Sequence, residues 1–484
     1  MGSMRGQVTD KIVELCRRRG VVVPTIAQMK DPTKIPESIR DELAEVGLWD
    51  VHPANLFRVS WKNEPVAQGG GFNQGNWIEF PPELTQVPAR IVGLSGKWFP
   101  TGCHKVGAAF GCLVPRLVSG EVDPATQKFV WPSTGNFCRG GAFVSALLGC
   151  EAVAILPEEM SRERFEWLGS IGAEIIATPG SESNVKEIYD KCWEIRESRP
   201  DHVILNQFEE MGNAVWHYHV TGGLVEEVFE RIGGKGHRLA AYVSATGSAG
   251  TIAAGDYLRT VSPDLKVAAV EALQCPTLLR CGFGEHRIEG IGDKHVPWIH
   301  NVRNTDVVVA IDDEQCVRLM RLFNEGAGRD LLVGQGVPQE TIGRLDELGI
   351  SSICNLAASI KVARHFEMGP EDVLFTPLTD SMELYASRLE EQHALHGEYT
   401  ERDAVGDYAR FLAGIAIDNM RELSYYDRKA LHNLKYFTWV EQQGRTADEL
   451  RRLWQPKFWT DAFDQAAEWD RRIDELNERV GILP

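Results

Sequence analysis

Between about residues 105 and 390, short β-branched runs alternate with helix-spaced stretches. Residues 153–156 make one compact apolar run and predict a buried strand. Ser161 stands where a helix cap belongs, with Glu163 and Arg164 in the first turn of a helix running through Ile171. Residues 173–177 predict the next strand. Strand, helix and strand in so short a span predict a βαβ unit, and so a parallel sheet covered by helices on both faces. The alternation returns at 203–206, 240–244, 267–270, 307–310 and 373–376. Residues 1 to about 95 read as loop-rich, with Gln68-Gly69-Gly70-Gly71 as an irregular connection. Beyond about 390 the spacing is helical, and Thr446 with Glu449 predicts a capping box ahead of Leu450, Leu453 and Trp454. The pattern as a whole predicts an α/β protein with a helical C-terminal extension.

Composition narrows the function classes. The chain has 484 residues, 43% of them apolar, enough for two or three structural units. Its net charge of -18 is unbroken by any Lys/Arg run, which argues against nucleic acid and anionic membrane as partners. No apolar stretch approaches the roughly 20 residues that span a bilayer. The opening Met1-Gly2-Ser3-Met4 reads as a tag remnant before a start at Met4, and the charged stretch to Arg19 lacks a signal peptide's apolar core. Ten scattered cysteines, with no CxxC pair and no Cys/His ligand spacing, predict neither disulfides nor a metal site. A cytoplasmic enzyme is the expectation.

Three segments carry candidate chemistry. Ser244-Ala-Thr-Gly-Ser-Ala-Gly-Thr251 joins a predicted strand to a helical pattern at 252–259. Its small residues suit either close packing or a phosphate cradled by backbone amides at a helix N-terminus. Pro100-Thr-Gly-Cys-His-Lys-Val-Gly-Ala-Ala109 sets one lysine among small and apolar residues. Lys105 reads either as a snorkelling surface lysine or as an amine whose pKa is lowered for attack on an aldehyde. In Trp131-Pro-Ser-Thr-Gly-Asn-Phe-Cys-Arg-Gly-Gly-Ala142, Ser133, Thr134 and the amides around Gly135 can grip a carboxylate and Asn136 can donate to a ring oxygen, or the turn is an ordinary cap.

In order and in detail, these segments resemble the fold-type II pyridoxal-phosphate enzymes, the tryptophan synthase β-like superfamily of cysteine synthases and cystathionine β-synthases. Cys103-His104-Lys105 resembles the Schiff-base lysine segment, Ser133-Thr134-Gly135-Asn136-Phe137 the substrate loop Thr-Ser-Gly-Asn-Thr, and Gly247-Ser248-Ala249-Gly250-Thr251 the phosphate loop Gly-Thr-Gly-Gly-Thr. Residues 160–180 resemble MSxERxxxLxxxGAEIxxTPG. Gln207-Phe208 with Asn213, His217 and Thr221-Gly222 is similar to QFxNPANxxxHxxxTG. Arg287-Ile-Glu-Gly-Ile-Gly292 resembles the KIQGIG loop, Gly349-Ile-Ser-Ser352 the GISSG helix start, and Thr379-Asp380-Ser381 the PDS segment.

The resemblance implies pyridoxal 5'-phosphate held as a Schiff base on Lys105, with His104, Asn136, Gly247, Ser248, Ala249, Gly250, Thr251, Gly290 and Ser381 around it. It places Ser133, Thr134, Gly135, Asn136, Phe137 and Gln207 around a small amino-acid substrate. A neutral Ser381 at the ring nitrogen leaves its protonation unforced, favouring loss of a β-leaving group over transamination. The implied function is β-replacement or β-elimination on serine, O-activated serine or cysteine through an aminoacrylate. A hydroxy-amino-acid deaminase or racemase on the same fold is the first rival. A nucleotide-binding oxidoreductase is the second, and the missing GxGxxG argues against it. A catalytically silent interaction protein is a third, disfavoured by the intact Lys105, Asn136 and Ser381. The implied architecture has residues 1–109 as N-terminal extension and start of the large domain, 110–212 as a small mobile domain, 213–390 as the large cofactor domain and 391–484 as the helical extension, in a homodimer. Phe137, Cys138 and Arg139 depart from the family's Thr-Gly-Ile. Arg139 reads as a helix-surface arginine or as partner to a second anionic group on the substrate, and Cys103 and Cys138 as buried, inert thiols.

Overall fold

The computed structural model describes residues 2–133, 135–180, 185–291 and 294–483. Eleven strands are found among them: β1 Trp77–Phe80, β2 Arg90–Ser95, β3 Lys128–Pro132, β4 Ala152–Pro157, β5 Glu174–Thr178, β6 His202–Ile204, β7 Arg238–Ala245, β8 Lys266–Ala272, β9 Val307–Ile311, β10 Asp372–Leu378 and β11 Met420–Glu422. They form two sheets. One has the order β5-β4-β3-β6 and is parallel throughout. The other runs β1-β2-β10-β7-β8-β9-β11, with a parallel interior and an antiparallel strand at each edge.

Each apolar run read from the sequence falls on one of the strands β4 to β10. Strands β9 and β10 are buried along their whole length, as parallel strands covered on both faces must be. Strand β3 leads into the helix Asn136–Leu148, as a strand-to-helix turn at 131–142 requires, whereas β1, β2 and β11 are not evident in the pattern. Strands β1 and β11 are short edges, and β2 carries Gly93 where a side chain would stand 2.7 Å from Leu378. The N-terminal region, expected as mostly loop, instead supplies a helix (Gly2–Arg19) and two strands of the larger sheet. Ser161 does precede a helix, Arg162–Ser170, but its hydroxyl makes no capping bond.

Helices Lys105–Val118, Asn136–Leu148 and Met211–Trp216 pack together through glycines. A Cβ on Gly111 would collide with the Gly212 carbonyl, and one on Gly212 with that of Gly111. At Gly107 it would enter the Trp216 ring, and at Gly140 it would stand 2.8 Å from the Val106 nitrogen and 2.9 Å from the Lys105 carbonyl. Gly107 and Gly111 lie one turn apart, so they clear a single face of the Lys105–Val118 helix.

The C-terminal extension packs on the body. The capping box of Thr446 and Glu449 forms as expected. In helix Gln465–Val480, Asp470 accepts from the amides of Ile26 (2.6 Å) and Ala27 (3.1 Å), and Asn477 bonds Val23 through both its backbone N–H and carbonyl. The two ends of the chain therefore form one layer. No helix among the described residues is long and apolar enough to cross a membrane, and no cluster there could hold a metal ion.

The contact of Gly111 with Gly212 is backbone to backbone and cannot relax by a side-chain rotation. Gly212→Ala is expected to lower stability to chemical denaturation by about 1–3 kcal/mol or more, as overpacking does. Gly169→Ala, within a helix and with open space around it, should be neutral or stabilising by up to about 1 kcal/mol. Equal effects at both positions would refute the packing account.

Candidate active site

Lys105 is the first residue of its helix, reached from β2 through Thr101 and Gly102, both in the left-handed region (φ +69° and +67°). For a threonine that conformation carries strain, held here by full burial. Gly140 presses against the Lys105 backbone and fixes where the side chain starts. Its ammonium donates to Gln207 Oε1 (3.1 Å) and Ser248 Oγ (3.0 Å). Lys105 thus reaches the turn after β7 and is no snorkelling surface residue.

That turn, residues 246–252, links β7 to the helix Ala253–Val261. The amides of Gly247, Ser248, Ala249, Gly250 and Thr251 donate to no backbone carbonyl. Ala249 adopts φ +61°, a glycine-like conformation, so the turn keeps its shape despite the alanine. Gly250 admits no side chain, because a Cβ would overlap Asn213 Oδ1. Asn213 in turn donates to Ser248 Oγ (3.0 Å) and the Gln207 carbonyl (3.0 Å). Thr251 Oγ1 accepts from Ser244 Oγ (2.8 Å).

On the facing side, Ser133 Oγ accepts from the Gly135 amide (3.0 Å) and Gln207 Nε2 (3.4 Å). Thr134 lies outside the described residues. Asn136 Nδ2 donates to Asp380 Oδ2 (2.6 Å), while its Oδ1 has no partner. Gly290, at φ +97°, packs beside Ser351 and Asn136, with its carbonyl against Gly247. Ser381, fully buried just beyond β10, has an unpartnered hydroxyl, as does Ser351. Contacts therefore bring together Lys105, Ser133, Gly135, Gln207 and Ser248, and, beside them, Asn136, Gly247 and Gly290. All lie beyond the carboxyl ends of parallel strands or on the loops joining them, where α/β sheets place ligands.

Two expected residues face elsewhere. Phe137 packs its ring on Trp131 in the core. His104 packs against Trp61 and His217 and makes no hydrogen bond to the 247–251 turn. Burial pulls its pKa down to about 3, so it is neutral and offers no cation to a phosphate there. Both depart from the expected ligand contacts because apolar neighbours claim the rings. Arg139 is buried rather than on a helix surface. Burial pushes the Cys103 and Cys138 thiols up to about 12, which keeps them unreactive.

Individual segments gave little sign of the polar network behind the site. Tyr385 donates to Asp380 Oδ2 (2.7 Å), Arg164 donates to the Tyr385 hydroxyl (3.2 Å), and Arg164 pairs with Glu289 at 2.5 Å. Glu289 also receives Arg388. Arg164 follows β4 in the small sheet, whereas Asp380 and Tyr385 follow β10 in the large one, so the network ties the two sheets together. The Glu163-Arg164 pair and the acid beside Ser381 were the only signals of it in the sequence.

The donor set fits a phosphorylated aromatic aldehyde. A row of free amides with Ser248 suits a phosphate, an amine reaches the same turn, and the buried hydroxyl of Ser381 waits for one polar ring atom.

Burial raises Asp380 from 3.8 to about 6, against the lowering effect of its Tyr385, Arg164 and Asn136 contacts. The folded chain then keeps a proton that the unfolded chain releases near pH 4, so this residue's contribution to stability falls as pH rises from about 4 to 6. Asp380→Asn removes the titration. The stability of wild type minus variant, from denaturation curves, should decline across that window and level off above it; a rising difference would contradict the assignment.

Residues 99–331 match the family model described as pyridoxal-phosphate dependent enzyme. The chain is 29% identical over 289 residues to a probable cysteine synthase of Bacillus subtilis, covering 60% of this chain and 85% of that one. Its fold is similar to that of an O-acetylserine dependent cystathionine beta-synthase from Helicobacter pylori (TM-score 0.54, 23% identity, 64% of this chain and 94% of that one). It is also similar to that of a hydrogen sulfide-producing enzyme from Fusobacterium nucleatum (TM-score 0.54, 21% identity, 64% and 96%). Over residues 99–331 the chain is thus similar to the pyridoxal-phosphate dependent enzymes, and these likenesses together support a fold-type II enzyme of the tryptophan synthase β-like superfamily with pyridoxal phosphate as its cofactor.

Proposed function

We propose that this enzyme carries out β-replacement or β-elimination on a small L-amino acid of the serine, O-activated serine or cysteine type. The observation that carries the reading is Lys105 aimed at Ser248 in the amide-rich turn, with the buried, neutral and unpartnered Ser381 hydroxyl just beyond β10. The similarity to a probable cysteine synthase, over most of that protein's length, supports the same chemistry.

Lys105 would hold the cofactor, and the amides of residues 247–251 with the Ser248 and Thr251 hydroxyls would hold its phosphate. When bound, pyridoxal phosphate supplies an electron sink for bond breaking at the substrate's α- and β-carbons. The Lys105 amine, once free, takes the Cα proton. Ser133, Thr134, the Gly135 amide and Gln207 orient the substrate carboxylate. Asp380 orients the Asn136 amide by accepting one of its two N–H bonds, which leaves the other for the ring oxygen. The buried Ser381 hydroxyl would serve the ring nitrogen without imposing a charge. Residues 110–212 are taken as the closing unit, supported by the separate sheet β5-β4-β3-β6 within that span. A homodimer in the cytoplasm, read from the sequence and its family resemblance, completes the proposal.

Holoenzyme given O-acetyl-L-serine, L-serine or L-cysteine, with and without added thiol, should form the thioether with thiol and release keto acid and ammonia without it. Borohydride should fix the cofactor to Lys105, located by peptide mass, and Lys105→Ala should lower turnover by roughly 10²–10⁴-fold. Cofactor fixed to another lysine, or turnover unchanged in the variant, would end the proposal. Gly250→Ala, by displacing Asn213 and with it Ser248, should weaken cofactor binding at least about tenfold, or ~1.4 kcal/mol, in an absorbance titration.

A further inference from the structure

Arg139 lies one turn past Asn136 on the helix Asn136–Leu148 and is 2% exposed. Its guanidinium carbon is 4.9 Å from the ring centre of Trp167 and 5.4 Å from that of Trp49. Neither Nε nor Nη1 meets a hydrogen-bond acceptor, and Arg139 forms no ion pair among the described residues. Burial, and then the like charge of Arg164, pull its pKa down only to about 10, so it stays protonated at neutral pH. A buried cation without an acceptor is costly, and contact with indole rings offsets only part of that cost.

Among the described residues, no carboxylate is within ion-pairing distance of it. Arg164, its neighbour, is matched by Glu289, and Glu289 also serves Arg388. Asp380 receives Asn136 and Tyr385 on Oδ2; its Oδ1 has no partner, and it forms no ion pair with Arg139. Both arginines border the substrate loop. The Arg139 amide donates to the Gly135 carbonyl (3.1 Å), and the Arg164 guanidinium lies 2.7 Å from where a Cβ on Gly135 would stand. The proposed function assigns one anion, the α-carboxylate, to that loop. A second cation beside it calls for a second anion. With indole rings against the guanidinium, its N–H groups are the part left for a ligand, and they suit a planar carboxylate or a phosphate.

We propose that Arg139 is a specificity-determining residue that binds a second anionic group carried on the β-substituent of the amino-acid substrate, a phosphate ester or a carboxylate. This inference rests on the reading of the chain as an activated-serine enzyme. It makes an anionic activated serine the preferred substrate over a neutral one.

The test compares O-phospho-L-serine and O-succinyl-L-serine with O-acetyl-L-serine on holoenzyme, in wild type, Arg139→Met and Arg139→Lys. Steady-state KM and kcat are measured, together with calorimetric titration of O-phospho-L-serine and of inorganic phosphate. In Arg139→Met the rise in KM for an anionic substrate should exceed that for O-acetyl-L-serine at least tenfold, and Arg139→Lys should recover part of it. Loss confined to the phosphate ester or to the carboxylate identifies which group is bound. Equal losses on anionic and neutral substrates, or none, would overturn the proposal and leave Arg139 as a strut between Trp49 and Trp167. Should Arg139→Met not fold, wild-type titration decides alone: tighter binding of O-acetyl-L-serine than of both anionic substrates overturns the idea, and the reverse order supports it. Wild type that turns over none of the three refutes the broader reading, whereas phosphate affinity lost in Arg139→Met still reports on the anion site by itself.

Discussion

The whole arrangement depends on how closely three helices approach one another around Lys105. Gly111 and Gly212 bring two backbones into contact, Gly107 receives the Trp216 ring, and Gly140 lies against the lysine's own main chain. Each glycine gives up a side chain so that the amine starts from one fixed point between the two sheets. From there it reaches Gln207, which follows β6, and Ser248, which follows β7. A side chain with four rotatable bonds can be positioned only if its root is rigid, and close-packed backbone supplies that rigidity.

Electrostatics sets the second condition. The site sits where parallel strands end and a helix begins, so unpaired amides are plentiful and anions are welcome. Behind it, Asp380, Tyr385, Arg164 and Glu289 form a buried chain of bonds between the sheets. Burial holds the Asp380 carboxyl near 6 and the Tyr385 hydroxyl well above its usual range. Buried polar networks of this kind add little net stability, but they penalise every alternative arrangement of the two sheets. The same economy makes the unmatched Arg139 conspicuous.

The terminal segments brace this core from outside. Asp470 and Asn477 hold residues 23–27, while Lys435 donates to the carbonyls of Trp298 and His300 and Trp439 to that of Val296, just after the Gly290 loop. Tyr189 of the small-sheet side meets both His295 and Trp439. The extension thus reinforces the loop that lines the site.

By itself the sequence determined the parallel α/β class and the three segments that meet at the strand ends. Buried parallel strands must be continuously apolar, and turns that approach ligands must be made of small residues. These are local requirements, written residue by residue. Tertiary structure alone decided the rest. Strands β1 and β11 are too short to show a pattern and exist because a sheet edge offers them partners. Phe137 and His104 turn into the core because aromatic neighbours far along the chain receive them. Asn136 pairs with Asp380 across 244 residues, and Arg139 is buried by Trp49 and Trp167 from two other segments. Side-chain direction and burial depend on which distant elements pack against a residue, and no local spacing encodes that.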